Sequence, residues 1–468
     1  VVQDGEVVLA RDADPWADPG LVLRVARAAA EQNLPIAPFT LERLGSESAP
    51  LPAPWPRPAL DDLLAVLGTG APAIVVLETL DQAGLLVRLL PEWDAVRCRA
   101  QHNPVHRFTV DRHLLETAAA AAEHDGGVDR RDLLLMGALL HDIGKGYPGG
   151  EPTNTDHSVV GARHAVVIAQ RMGYTGEDLA MVVGLVRHHL LLPNTATRRD
   201  PDDPRTIAIV RELVDDSPQL LELLHALAWA DASATGPAAW SEWKASLIAD
   251  LVRRARAAMY GSGPLPVPPL DDERRELAQA GKLAVIVRPA EVIVAAPDAT
   301  GTLYRTTGVL ALHALDIREA SIRTQNGMAV NRFVVEPRFG RMPDAALVRN
   351  DLARALDGEL GLADKLAEKE RVYSRRPADA PRRRPSVHWF DDATEATVVE
   401  FRGEDEIGLL FRITTALERA GLDVRSARVS SLAGAVVDAF YVTDLAGCPI
   451  EAEARPAVEA ELYAAWPS

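Results

Sequence analysis

Ala138–Gly146 reads ALLHDIGKG. An apolar helix runs directly into a His-Asp pair and then a Gly-Lys-Gly turn, so a buried segment delivers polar chemistry at its end. Working outward, VDRH ends at His113, TDHSVVGA contains His157, VRHHLLL contains His188 and His189, and WADASAT contains Asp231. Nine of the twelve histidines fall between His102 and His189. That clustering reads as a metal site rather than as scattered surface residues. Imidazole and carboxylate together suit a divalent ion (Mn, Mg, Fe, Co or Zn), and each histidine binds as the neutral ring available near pH 7.

His141 and Asp142 are expected to be neighbours on one helix, about 100° apart around its axis, so an ion shared by both must sit close beside that helix. His113 and Asp231 complete a His-His-Asp-Asp core. His157 and His189 are expected to hold a second ion or the phosphate itself, with His189 preferred to its neighbour His188. Asp142 and Lys145 are the candidate catalytic residues. Lys145 is placed one helical turn beyond His141, where it can clamp a phosphate. His106, Arg187, Arg198 and Arg199 are candidate substrate or phosphate contacts, although Arg198 and Arg199 can equally be read as bracing a loop. His225, His313 and His388 read as core residues. His102, His124 and His164 read as surface or outer residues. Such a site suits phosphoester hydrolysis, because the ion lowers the pKa of its water and offsets phosphoryl charge.

At 468 residues the chain is too long for one core, and three or four domains are expected. Its composition is globular, and a net charge of −17 argues against a general nucleic-acid binder. Cys98 and Cys448 form no zinc-finger spacing or disulfide framework, which fits a reducing cytoplasm. No apolar run is long enough to span a bilayer. The opening VVQDGEVVLARDADPW reads like the middle of a protein, so the chain is expected to be a piece of a longer one.

Proline-rich linkers are read near 48–60, 261–273 and 375–386. Residues 1–100 read as a helical packing domain and 101–260 as a helical bundle around the metal. In the C-terminal third, Gly301–Ile322 overlays Gly408–Val429 at a constant offset of 107 residues. Leu303 then matches Leu410, Asp316 matches Asp423 and Phe333 matches Phe440. Each copy reads as a ferredoxin-like βαββαβ unit, spanning 276–392 and 393–468. Ser386–Asp392 is expected to close the first copy as its last strand, and the second copy is expected to lack that strand. The fold class is multidomain α and α+β: an all-helical bundle followed by two ferredoxin-like domains. Each copy opens its helix with an acidic-Gly turn, Asp298 to Gly301 and Asp405 to Gly408. Those turns, with Asp316 and Asp423, either hold an amino-acid effector between the copies or merely cap helices.

The His-Asp set resembles the HD-domain phosphohydrolases. With its flanks, QHNPVHRFTVDRH, VRHHLLLPNTATRRDPDDP and ADASATGPAAWSEWKASL, and with YVTD at 441–444, nearly the whole chain resembles the bifunctional PII uridylyltransferase/uridylyl-removing family. The resemblance implies an HD domain that removes UMP, or AMP, from a tyrosine of the PII signalling protein. It further implies tandem ACT domains that sense glutamine and can pair chains into a homo-oligomer. The family's Gly-Ser and paired-aspartate transferase signature is missing from this chain, and the ACT turns lack the usual proline. Two alternatives are an HD-type guanosine tetraphosphate hydrolase and a non-catalytic sensor of glutamine and PII.

Overall fold

The computed structural model describes every residue except 102–106, 125, 148–155, 237–238, 262–269, 374–383, 407, 433–434 and 467–468. The chain forms two compact units, Val1–Asn194 with Ile209–Gly263, and Thr195–Ala208 with Pro264–Ser468.

The first unit is helical. A short hairpin, β1 (Val2–Gln3) and β2 (Glu6–Val7), precedes α1 (Leu21–Gln32), α2 (Pro38–Glu47), α3 (Arg57–Leu67), α4 (Ala71–Gln82) and α5 (Leu86–Leu89). These share the unit with the helices that follow, since α3 packs on α7 and α4 on α6. Next come α6 (Val110–Glu123), α7 (Arg131–Leu140), α8 (His157–Arg171), α9 (Gly176–His188), α10 (Leu191–Arg198), α11 (Pro204–Leu213), α12 (Pro218–Thr235) and α13 (Glu242–Met259), the division between the units falling within α10 and α11. From Leu133 to Leu140, α7 carries no polar side chain and every residue is buried. A helix apolar all round must be enclosed on all sides, and α6, α9 and α12 enclose it. Pro218 and the Ser217 hydroxyl, which accepts from the Leu220 amide, start α12. No helix among the described residues is long and apolar enough to cross a membrane.

The second unit is an antiparallel α+β sheet. After α14 (Asp272–Ala280), its elements are β3 (Ala284–Arg288), β4 (Glu291–Pro297), α15 (Thr302–Leu312), β5 (Leu315–Ser321), β6 (Thr324–Gln325), β7 (Met328–Pro337), α16 (Ala345–Leu356), α17 (Leu362–Tyr373), β8 (Ser386–Phe390), β9 (Thr397–Glu404), α18 (Leu409–Arg419), β10 (Leu422–Leu432), β11 (Ala435–Asp444) and α19 (Arg455–Ala464). The strand order is β3-β4-β7-β5-β10-β11-β9-β8, with β6 beside β7. The two copies join where β5 pairs β10, Ala320 opposite Val429. Pleating sorts the side chains. Val292, Val294, Val399 and Phe401 enter the core shared with α15 and α18, while Ile293 and Ala295 turn to the opposite face and meet Leu270 and Ala278.

The structure corrects one expectation. Ser386–Phe390 does not close the first copy; β8 pairs with β9 of the second. The first copy takes its edge strand from β3, which pairs with β4. Each copy therefore carries its edge strand at the front, and the second copy does not lack one. Side-chain contacts set this choice. Trp389 donates to Glu459 at 2.8 Å and lies under Arg455 of α19, so β8 is tied to the second copy's own helix.

The opposite face of the second copy is covered by Thr195–Ala208, which belongs to this unit although its sequence interrupts the helical one. The Asp200 amide donates to the Tyr441 hydroxyl at 2.7 Å, Arg428 reaches Asp200, and Arg323 pairs with Asp202 at 2.6 Å.

Candidate metal centre

The bundle places its polar residues at helix ends. His113 lies in the first turn of α6, His157 opens α8, His189 follows the last residue of α9, and Asp231 lies in the final turns of α12. The adjacent pair departs from expectation. α7 closes at Leu140, His141 keeps helical dihedrals, and Asp142 leaves them at φ −105°, ψ 11° to open a tight turn, Ile143–Gly146. The pair is therefore not two successive positions of one helix. The turn lets both side chains point the same way.

The resulting geometry is a cage. His113 Nε2 lies 3.3 Å from His141 Nε2, 3.0 Å from Asp231 Oδ1 and 3.7 Å from Asp142 Oδ2. His141 Nε2 lies 3.5 Å from Asp142 Oδ2 and 3.6 Å from Asp231 Oδ1. Donor atoms bound at about 2.1 Å to one ion stand roughly 3.0 to 3.4 Å apart, so the set fits a divalent cation. The other carboxylate oxygen of the same residue serves a second set. Asp142 Oδ1 lies 3.3 Å from His157 Nε2 and 3.5 Å from His189 Nε2, which are 3.4 Å from each other.

Outer contacts orient the rings. His141 Nδ1 donates to the Ala138 carbonyl at 2.9 Å, and His189 Nδ1 to the Val186 carbonyl at 2.8 Å. Each bond occupies one ring nitrogen, so the lone pair of the other faces the cage. His141 Nε2, so directed, faces His113 Nε2 at 3.3 Å, a separation that a proton or a shared cation between the two nitrogens accounts for. Burial by itself opposes charge on His141, but Asp142 and Asp231 outweigh it and push the imidazole up to about 10. Burial likewise opposes charge on Asp142, yet His141 and Lys145 hold the carboxyl well below its usual range. Metal binding to such a set requires the neutral imidazole and the ionised carboxylate, so it is coupled to proton release.

Lys145 does not share a helical face with His141. Its ammonium sits on the tight turn, 2.5 Å from Asp142 Oδ2 and 2.8 Å from Gln101 Oε1. Arg187 is exposed at the end of α9. Arg198 and Arg199 belong to the sheet unit, where Arg199 pairs with Asp392 at 3.1 Å and covers the Phe390 ring. His106 and His102 lie outside the described residues. The histidines read as non-ligands have other contacts: His124 lies against Trp229, His164 stacks on Tyr147, His313 bonds Asp351 and His388 bonds Ser386. Gln101 opens the QHNPVHRFTVDRH segment but was given no role from sequence, because only folding brings it to Lys145.

In the sheet unit, Gly301 and Gly408 cap α15 and α18 with φ of 89° and 70°, the left-handed region that glycine adopts without strain. Two clefts flank the seam between the copies. One combines Asp405 and Gly408 with Asp316 of the other copy; the second combines Asp298 and Gly301 with Asp423. Asp438, which reading from sequence missed, lines the first. Burial pushes its carboxyl up to about 8, against the main-chain N–H of Ser430, which donates to it. The folded chain is therefore expected to keep a proton that the unfolded chain has released, so that stability should fall as pH rises from about 4 to about 8, by up to about 1.4 kcal/mol per pH unit. Asp438→Asn is expected to remove that slope, gaining most over the parent near pH 8. Thermal midpoints of both proteins at pH 5, 6.5 and 8 check this, and parallel curves would show that Asp438 titrates normally.

Helices carrying such a His-Asp cage define an HD-domain protein, and residues 110–235 match the HD domain family. The antiparallel sheet region that follows is consistent with ACT-like domains. The chain is a homologue of bifunctional uridylyltransferase/uridylyl-removing enzymes. It is 44% identical to that enzyme of Streptomyces coelicolor over 98% of this chain and 60% of the relative. It is 44% identical to that of Mycobacterium tuberculosis H37Rv over 98% of this chain and 58% of the relative. With the Corynebacterium glutamicum enzyme it shares 37% identity over 58% of this chain and 38% of the relative. The chain thus spans about three fifths of the length of the first two relatives.

Proposed function

We propose that this chain carries the uridylyl-removing activity named in its relatives. It hydrolyses the nucleotidyl-tyrosine phosphodiester of modified PII, releasing UMP, or AMP in the variant use of the family, under control of glutamine at the sheet unit. The observation that carries the reading is the Asp142 carboxylate, whose two oxygens face two separate donor sets. His113, His141, Asp231 and Asp142 Oδ2 would hold one divalent ion, and His157, His189 and Asp142 Oδ1 a second. Bound there, such ions supply a water of lowered pKa and offset charge on the phosphoryl group. The protein's own residues orient and screen. Ala138 and Val186 carbonyls fix two rings, and buried α7 excludes bulk water from behind. Lys145, whose ammonium lies beside Asp142 Oδ2, would be placed to meet a phosphate oxygen.

The test incubates the chain with Mn²⁺ and either uridylylated or adenylylated PII, with and without glutamine, and follows free nucleotide. Release is expected to require metal and to rise with glutamine. Absence of release from both substrates, with guanosine tetraphosphate hydrolysed instead, would transfer the site to that substrate.

A further inference from the structure

An ammonium on a four-carbon stem is a mobile charge, and it meets one particular oxygen only when something holds it. Lys145 is held at two points. Its Nζ lies 2.5 Å from Asp142 Oδ2 and 2.8 Å from Gln101 Oε1, on the chain segment that leads into α6. The two partners differ in kind. Asp142 Oδ2 also stands 3.7 Å from His113 Nε2 and 3.5 Å from His141 Nε2, so it belongs to the cage. Among the described residues, Gln101 bonds through its side chain to Lys145 and Phe108 and to no member of the cage.

The Gln101 amide can sit only one way round. An ammonium donates and never accepts, and a main-chain carbonyl accepts and never donates. Oε1 therefore faces Lys145, and Nε2 donates to the Phe108 carbonyl at 3.4 Å. This sets an uncharged acceptor against Lys145, so the ammonium is held without its charge being cancelled. The segment that bears Gln101 is itself anchored. The Cys98 amide donates to Asp111 Oδ2 at 2.7 Å, and the Val110 amide donates to the Arg99 carbonyl at 2.9 Å. Both bonds tie the segment to the first turn of α6, which carries His113. Arg99 donates to the Gly146 carbonyl at 3.2 Å and ties it to the turn that carries Lys145. The packing there is close: a Cβ on Gly146 would lie 2.8 Å from the Ala95 Cβ and 2.9 Å from its carbonyl carbon.

An ammonium has three N–H bonds. Asp142 and Gln101 take two, and among the described residues the third has no acceptor. We propose that Gln101 is a positioning residue: it holds the Lys145 ammonium beside the cage with its charge intact and its third N–H open to a phosphate oxygen of the nucleotidyl group. The assignment rests on reading the cage as a phosphodiesterase site, and adds what keeps the phosphate-binding cation in place.

Calorimetric titration of the full, Mn²⁺-loaded chain with UMP, beside nucleotide release from uridylylated PII, tests it. Gln101→Met keeps the length of the side chain and removes both of its bonds. It is expected to weaken UMP binding and to lower kcat/KM about tenfold each, at the metal content of the parent. Lys145→Met is expected to lower both about a hundredfold. The double variant decides. If Gln101 acts through Lys145, adding Gln101→Met to Lys145→Met changes either quantity by less than about twofold. A second tenfold loss there, or a Gln101→Met protein equal to the parent, overturns the assignment and leaves the phosphodiesterase reading standing. Loss of metal from Gln101→Met overturns it too, because the residue would then be holding the cage together. A parent chain that neither binds UMP nor releases nucleotide removes the phosphodiesterase reading, and the assignment with it.

Discussion

Asp142→Ala is expected to empty both metal positions and to lower nucleotide release on the order of a thousandfold or more. The reason is geometric. Among the described residues, Asp142 is the one whose side chain lies beside both donor sets, with Oδ2 near His113 and His141 and Oδ1 near His157 and His189. Removing any single histidine strips one set; removing Asp142 strips a ligand from each. It also frees Lys145 from its 2.5 Å contact and leaves buried histidines without the carboxylate that favours their charge. The metal content of purified protein, measured beside turnover, checks the prediction. His189→Ala provides the comparison, since it should retain metal at the His113 set. Two ions and ordinary turnover in Asp142→Ala would sink the bridging assignment.

Gly144→Ala is expected to cost about 3 kcal/mol or more, and to remove His157 from the site. Gly144 sits in the tight turn two residues after Asp142. A Cβ there would fall 2.0 Å from the His157 carbonyl oxygen and 2.5 Å from the Gly161 amide nitrogen. Both are main-chain atoms of α8 and cannot rotate away. The turn and the helix must separate, and the helix carries His157 at its first residue. Gly161→Ala is the milder partner, because its nearest atom is a Val186 methyl at 3.1 Å, which can shift. A thermal midpoint far lower in Gly144→Ala than in Gly161→Ala, with loss of the second ion only, is the expected pattern. Equal midpoints would show that the turn yields more easily than close packing allows.

Reading from sequence reached the cage because helix periodicity is local. Apolar runs at helical spacing end in His141, His189 and Asp231, so a residue's place on its helix announces where its side chain can go. Reading failed at Lys145 for the same reason: the helix it assumed stops at Leu140, and the turn after it follows its own geometry. It failed at β8 because an edge strand can be supplied from either end of a copy, and only Trp389 packing against α19 decides which. Asp438 was within reach, since the offset that exposes the repeat also sets it against Asn331.

By itself, the sequence determined the helical class of the first unit, the two repeated α+β copies and the identity of the His and Asp residues, all properties of short windows or of self-similarity. Only the tertiary structure decided that one carboxylate is shared between two donor sets. The same holds for Thr195–Ala208, which covers a sheet far away in the chain, and for Gln101, which meets Lys145 only in the folded chain. Those facts depend on contacts between segments tens to hundreds of residues apart. Local propensity carries no information about them, because the partners are chosen by burial and charge only when the chain closes on itself.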